Sequence, residues 1–168
     1  MTSRISVFGL GYVGCVSAAC FAKEGHDVIG VDVNPAKVGM INDGIATIVE
    51  HGIGEMVAEM RQSGRLRATT DVAEAVLQSD ISLVCVGTPS RPNGAPELDY
   101  VERVCEQIGA ALGAKPTRHT VIIRSTVLPG STRSVAIPAL ERASGLTAGR
   151  DFGVGMNPEF LREGTSIK

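Results

Sequence analysis

The sequence predicts an α/β fold, a doubly wound parallel sheet of about six strands, and three observations carry that expectation. Short strand-like runs recur along the chain and are separated by stretches with helical patterning, the alternation that builds a parallel sheet between two helical layers. The first and fourth runs, Arg4–Phe8 and Ile81–Val86, read as short, mainly apolar runs, the pattern of strands covered on both faces. The first run opens directly into Gly9-Leu10-Gly11-Tyr12-Val13-Gly14, and Asp32 closes the second, Asp27–Val31.

In chain order, the strand Arg4–Phe8 leads into a helix over Tyr12–Glu24, which Gly25 stops as a glycine just past a helix end does. After the strand Asp27–Val31, helical patterning covers Pro35–Asn42 and Ile53–Ser63. Leu66–Thr69 reads as the third strand, and Thr70-Asp71 supplies an N-cap for a helix over Val72–Gln78. The strand Ile81–Val86 is followed by Ser90-Arg91-Pro92-Asn93-Gly94-Ala95-Pro96, a loop by its Pro, Asn and Gly content. A helix over Asp99–Leu112, a strand over Thr120–Arg124, a helix over Arg133–Ala143 and a strand over Phe152–Met156 complete the pattern.

The opening segment is a dinucleotide-binding fingerprint in its proper context of strand, turn, helix and second strand. Gly9 permits the tight turn, Gly11 lets the backbone approach a pyrophosphate, and Gly14 lets the helix sit close to the sheet. The N–H groups and positive dipole end of the helix that starts near Tyr12 then face the phosphates. Asp32 stands where an acidic side chain accepts a hydrogen bond from the adenosine ribose, so the expected cofactor is NAD. A carboxylate there repels a 2′-phosphate, and no Arg follows it, although Lys37 lies close by.

At 168 residues with a formal net charge of −2, the chain is the size of one domain and carries no basic footprint for nucleic acid or a membrane surface. The absence of a signal-peptide pattern or long apolar span gives a cytoplasmic expectation. Cys15, Cys20, Cys85 and Cys105 show no metal-ligand spacing with one another or with His26, His51 and His119, and their apolar surroundings suit buried free thiols. Three further segments fall at the C-terminal ends of strands, where this architecture binds ligands: Gly87-Thr88-Pro89, Ser125-Thr126-Val127-Leu128-Pro129-Gly130 and Asn157-Pro158-Glu159-Phe160-Leu161-Arg162-Glu163. Singly each is compatible with ordinary turn chemistry; together at one sheet edge they point to a site.

These motifs, with Gly9–Gly14 and Thr47-Ile48-Val49-Glu50, give a sequence that resembles the UDP-glucose/GDP-mannose dehydrogenase family, most nearly its GDP-mannose branch, over essentially the whole chain. The resemblance implies oxidation of a nucleotide-sugar 6-hydroxyl to a carboxylate with two NAD⁺, through covalent capture of the aldehyde by a cysteine. The product would feed alginate-type polymers. By motif match, Tyr12 and Val13 would meet the pyrophosphate through backbone N–H groups, and Asp32 and Lys37 would hold the adenosine side. Thr88 and Thr126 would lie by the cofactor, Thr126 also positioning a water. Glu159 would assist proton transfer and thioester hydrolysis, a task that a buried carboxylate suits, and Glu163 with Phe160 and Leu161 would contact GDP-mannose.

Two departures accompany the resemblance. His51 follows Glu50 where the family has a proline, leaving the loop over residues 44–54 less constrained. The family's nucleophilic cysteine, a catalytic lysine and the sugar-nucleotide pocket belong to a region downstream of Lys168, and none of the four cysteines matches that motif. The expectation is therefore an NAD-binding domain, truncated before the central helix and sugar-nucleotide domain of a homo-oligomeric enzyme. A UDP-glucose 6-dehydrogenase fragment and a non-catalytic NAD-binding module are the alternatives.

Overall fold

The structure is a computed structural model that describes residues 2–91, 94 and 96–164. Six parallel strands, β1 (Arg4–Phe8), β2 (Asp27–Val31), β3 (Leu66–Thr69), β4 (Ile81–Val84), β5 (Thr120–Ile123) and β6 (Gly153–Met156), form one sheet in the order β3-β2-β1-β4-β5-β6. The chain winds outward from β1 in one direction, then returns to the centre and winds the other way. The strand order therefore reverses between β1 and β4, and the crevice at their C-terminal ends is where a ligand fits.

The helices are α1 (Tyr12–Lys23), α2 (Pro35–Asn42), α3 (Ile53–Gln62), α4 (Val72–Gln78), α5 (Asp99–Leu112) and α6 (Ile137–Ser144). Alternate strand residues feed two cores. Ile5, Val7, Val28, Leu66 and Leu83 pack with α1 and α3, while Phe8, Ile29, Val31, Val84, Val121 and Ile123 pack with α4, α5 and α6. Local chemistry fixes the helix starts. Asn34 caps α2, with Pro35 at its first position, and Asp71 caps α4 through the Glu74 N–H at 3.0 Å. Gly25 follows α1 at φ +92°, the left-handed conformation expected of it.

The element count agrees with the sequence reading, but several ends differ. β4 stops at Val84 instead of Val86 and β5 at Ile123 instead of Arg124: the last cross-strand bonds run from the Cys85 N–H to the Phe8 carbonyl and from the Arg124 N–H to the Val84 carbonyl, both at 2.8 Å, and Cys85–Gly87 go on to line a cleft. The helix expected over Arg133–Ala143 begins as a π-helical turn, Thr132–Ala136, and continues as α6. Pro138 explains the widening: it lacks an N–H and its ring would crowd the carbonyl four residues back. Of the loop read over residues 90–96, Pro92, Asn93 and Ala95 lie outside the described residues; Ser90 and Pro96 pair across its base, and Arg91 forms an ion pair with Glu97.

At the opposite, N-terminal edge of the sheet lies a buried polar network. Ser6 Oγ lies 2.9 Å from Ser79 Oγ and 2.8 Å from Ser82 Oγ, and Ser82 Oγ lies 2.8 Å from His119 Nε2. The Ser79 carbonyl, 3.2 Å from His119 Nδ1, can only accept, which favours the neutral ring with its proton on Nδ1. Burial, reinforced by Lys115, pushes the imidazole down to about 4, against the opposing effects of the Ser79 carbonyl and Asp80. The unfolded chain therefore binds more protons than the native state between that value and the ordinary pKa of about 6.5. Stability from neutral His119 is complete above pH 6.5 and is lost as pH falls toward 4, by about 3 kcal/mol. Urea unfolding of the wild type and of His119→Gln across pH 4–7 checks this: the wild-type midpoint falls more steeply on acidification, whereas parallel pH profiles would refute it.

Candidate functional site

The glycine-rich turn after β1 takes its shape from how closely α1 approaches it. A Cβ added to Gly14 would lie 1.7 Å from the Gly9 carbonyl oxygen, a distance no side chain tolerates. Gly9 itself has φ +93°, and a Cβ on it would meet the Cys85 carbonyl oxygen at 2.9 Å. Gly11 differs: a Cβ there would meet no protein atom within 4 Å, and the position borders a cleft. Gly9 and Gly14 are demanded by packing, and Gly11 leaves a face of the backbone open to a ligand. The first intrahelical bond of α1 is Cys15 N–H to Gly11 O, at 2.9 Å.

The cleft, of about 420 Å³, opens at the β1/β4 reversal. Phe8, Gly9, Gly11, Val31 and Cys85 form its floor, with Asp32, Val33 and Lys37 at one end and Val86, Gly87 and Pro89 at another. Its far wall is the face of α5 that carries Tyr100, Arg103, Val104 and Gln107. The mixture of apolar floor and few polar groups suits an adenosine moiety, and the open Gly11 backbone suits its phosphates, so the residues present fit a dinucleotide.

Asp32 is buried at the cleft end. Its Oδ2 accepts from the Leu10 N–H at 2.7 Å and lies 3.6 Å from Lys37 Nζ, while Oδ1 accepts from the Asn34 N–H at 2.9 Å. The glycine turn and the end of β2 thus hold the carboxylate in place, with lone pairs remaining for ribose hydroxyls. The Lys37 ammonium, about a third exposed, forms an ion pair with Asp32 at the same end of the cleft.

Thr88 and Thr126 come together: the Thr88 hydroxyl donates to the Thr126 carbonyl at 2.7 Å, joining the loops after β4 and β5. After β6, the Asn157 N–H donates to the Ile123 carbonyl at 2.9 Å, and Arg124 Nη1 donates to Asn157 Oδ1 at 2.6 Å. This fastens the start of the segment over residues 157–163 beside the end of β5. The Glu159 carboxylate accepts from the Leu161 N–H, and Leu161 packs against the α1 core. Glu159 is half-buried rather than enclosed, Glu163 is exposed, and Phe160 is 87% exposed.

Cys85 links the two halves of the site, since it lines the cleft and senses charges in the segment beyond. Burial is the main force pushing its thiol up to about 12, with Arg124 opposing and Glu159 adding to the rise. Burial likewise pushes Cys105 up to about 12, helped by Glu102 and Glu106, and raises Cys20. These thiols stay protonated near neutrality, as structural cysteines do. Cys20 is half-buried, a modest departure from the fully buried expectation. Among the described residues no cluster of His, Cys, Asp and Glu is placed to hold a metal.

Sequence reasoning missed the α5 wall and gave no role to Arg124 or Glu50. The wall was legible in principle, since Tyr100, Arg103, Val104 and Gln107 share one helical face at the spacings of adjacent turns. Arg124 has no such signal: its Nε is buried without a hydrogen-bond partner, while its Nη1 holds Asn157.

Residues 3–168 match the UDP-glucose/GDP-mannose dehydrogenase family, NAD binding domain. The chain is 60% identical over 165 residues to GDP-mannose 6-dehydrogenase of Azotobacter vinelandii, covering 98% of this chain and 38% of that protein. It is 57% identical, with a TM-score of 0.96, to a chain in the crystal structure of a ternary complex of GDP-mannose dehydrogenase from Pseudomonas aeruginosa, covering 98% of this chain and 38% of that one. UDP-glucose 6-dehydrogenase AglM of Haloferax volcanii is 43% identical over 98% of this chain and 38% of its own length. The chain thus spans about two-fifths of the length of the relatives it matches.

Replacing Asp32 with Ala should weaken NADH binding by about 1–2 kcal/mol, the scale of a hydrogen bond to a charged group. It should also narrow the preference for NADH over NADPH. Calorimetric titration of both nucleotides against both proteins measures this, and unchanged NADH affinity in the variant would remove Asp32 from the site.

Proposed function

From the premise that the chain belongs to the UDP-glucose/GDP-mannose dehydrogenase family as its NAD-binding domain, we propose that it supplies the cofactor half of an enzyme oxidising GDP-mannose to GDP-mannuronate. The observation that carries this proposal is the convergence of the fingerprint turn, Asp32 and the loops after β4, β5 and β6 on one edge of the sheet. NAD⁺ held at that edge would supply the hydride acceptor for both oxidations. The choice of GDP-mannose over UDP-glucose is supported by the identities, 60% to a GDP-mannose enzyme against 43% to a UDP-glucose one.

The chain's residues divide the work by position. The N-terminus of α1, with the Tyr12 and Val13 N–H groups, binds the pyrophosphate, and Asp32 orients the adenosine ribose with Lys37 alongside. Thr88 and Thr126, joined by the bond from the Thr88 hydroxyl to the Thr126 carbonyl, border the nicotinamide side, and Thr126, an exposed residue, positions a water. Glu159 assists proton transfer from the sugar 6-hydroxyl oxygen and activates the hydrolytic water. Its bond from the Leu161 N–H holds the carboxylate, and the half-open setting lets substrate reach it. Phe160, Leu161 and Glu163 contact the nucleotide sugar; the exposure of Phe160 and Glu163 leaves both side chains available to it.

The nucleophile is assigned to a part of the full-length enzyme without counterpart in these 168 residues, which the protonated state of Cys85 and Cys105 supports. A homo-oligomeric enzyme, supported by the family resemblance alone, and a cytoplasmic location, supported by four free cysteines, belong to the same proposal. The net charge of −2 favours a small nucleotide over nucleic acid as partner. Among the described residues no helix is long and apolar enough to cross a membrane.

The pure chain should bind NADH without producing NADH from NAD⁺ and GDP-mannose. In the complete enzyme, Glu159→Gln keeps the shape but removes the base, so release of the acid should slow by roughly 10²–10⁴-fold. A thioester adduct should then build up on the nucleophilic cysteine, read by intact-protein mass spectrometry. Normal turnover, or lost sugar affinity with no adduct, would make Glu159 a binding residue. Turnover by the isolated chain would locate the nucleophile within it.

A further inference from the structure

Glu50 lies in the stretch between α2 and α3, outside every strand and helix, and is 91% buried by its 9% relative exposure. A buried carboxylate is costly unless hydrogen bonds replace its water. One oxygen, Oε2, accepts from two donors: the Tyr12 hydroxyl at 2.7 Å and the Gly164 N–H at 2.6 Å. The donors lie 38 and 114 positions away in sequence and belong to the two halves of the site. Tyr12 is the first residue of α1, at the phosphate-binding turn, and Gly164 lies just beyond the segment that carries Glu159 and Glu163.

Further bonds complete the bracket. The Arg162 carbonyl lies 3.2 Å from the Tyr12 hydroxyl and shares at most the one proton that Glu50 accepts at closer range, and the Thr47 hydroxyl donates to the Leu10 carbonyl at 2.7 Å, fastening Glu50's own loop to the glycine turn. The near end of the 157–164 segment is held by β5 through Asn157. Its far end is held through Tyr12 and Glu50, beside the place where the cofactor's phosphates bind. We propose that Glu50 is the positioning residue through which cofactor binding orders the segment carrying Glu159 and Glu163. The proposal rests on the cleft being the NAD site. Phosphates at the α1 N-terminus fix Tyr12, Tyr12 fixes Glu50, and Glu50 holds Gly164, so the entropy of ordering the segment is met when the cofactor binds. By reciprocity, a segment ordered by substrate tightens the cofactor site.

Hydrogen exchange of the 157–164 amides, with and without saturating NADH, tests the tie in the wild-type chain, Glu50→Ala, Glu50→Gln and Tyr12→Phe. Calorimetry reports NADH binding in parallel. NADH should slow exchange of these amides in the wild type by about tenfold, within the usual range of coupling between sites. Glu50→Gln, whose amide oxygen accepts the same bonds, should retain most of the slowing. Tyr12→Phe should lose part of it, and Glu50→Ala should lose it while still binding NADH. Equal slowing in Glu50→Ala, or equal loss in the Ala and Gln variants, would overturn positioning by hydrogen bonding. So would a wild type that binds NADH without slowing these amides. A wild type that fails to bind NADH overturns the cofactor assignment and the tie with it. If fast exchange throughout β1–β5 shows Glu50→Ala to be unfolded, Tyr12→Phe decides: full retention of the slowing overturns the tie.

Discussion

The approach of α1 to the turn after β1 is the constraint on which the rest of the site depends. With a Cβ on Gly14 only 1.7 Å from the Gly9 carbonyl, helix and turn fit together only without a side chain there. That contact sets the direction of α1, and the helix N-terminus then points into the crevice between β1 and β4. It also places the Leu10 N–H 2.7 Å from Asp32, so one backbone geometry shapes the phosphate end and fixes the carboxylate at the ribose end. The Gly9 N–H, bonded to the Val31 carbonyl at 2.7 Å, carries the β1–β2 pairing into the turn itself.

The two edges of the sheet serve different purposes. At the C-terminal edge, strand ends dissolve early into loops whose carbonyls and side chains bond one another, as Thr88 does with Thr126 and Arg124 with Asn157. At the N-terminal edge, Ser6, Ser79, Ser82 and His119 form a closed buried network that ties β1, β4 and the entry to β5. A satisfied polar network fixes register where apolar packing alone would permit slippage, and the strands it aligns are those that bracket the crevice. The binding edge can then be irregular because the opposite edge is not.

Much of this was legible along the chain because the signals are local. Hydrophobic runs and their spacing gave all six strands, Gly25 and Asp71 marked helix boundaries, and the fingerprint with Asp32 identified the cofactor end. The misplaced ends share a cause: the N–H groups of Cys85 and Arg124 make the last cross-strand bonds, to the carbonyls of Phe8 and Val84, and the chain leaves the sheet there although apolar residues such as Val86 continue the strand-like pattern. The π-helical turn came from Pro138, whose effect depends on a carbonyl one turn back and not on its neighbours' propensities.

By itself the sequence determined the order of elements, the identity of the glycine turn and the chemical types available at the ligand edge, because each depends on residues within a turn or strand of one another. Only the tertiary structure decided which of those types meet. That the Cys85 thiol is buried between the cleft and the charges of Arg124 and Glu159, and that α5 supplies the far wall, follow from packing between distant segments. Glu50 is the sharpest case. In the sequence it is only the last residue of a family motif, with no role attached, until the fold brings Tyr12 and Gly164 to the same oxygen, because hydrogen-bond partners separated by 38 and 114 residues leave no periodicity to read.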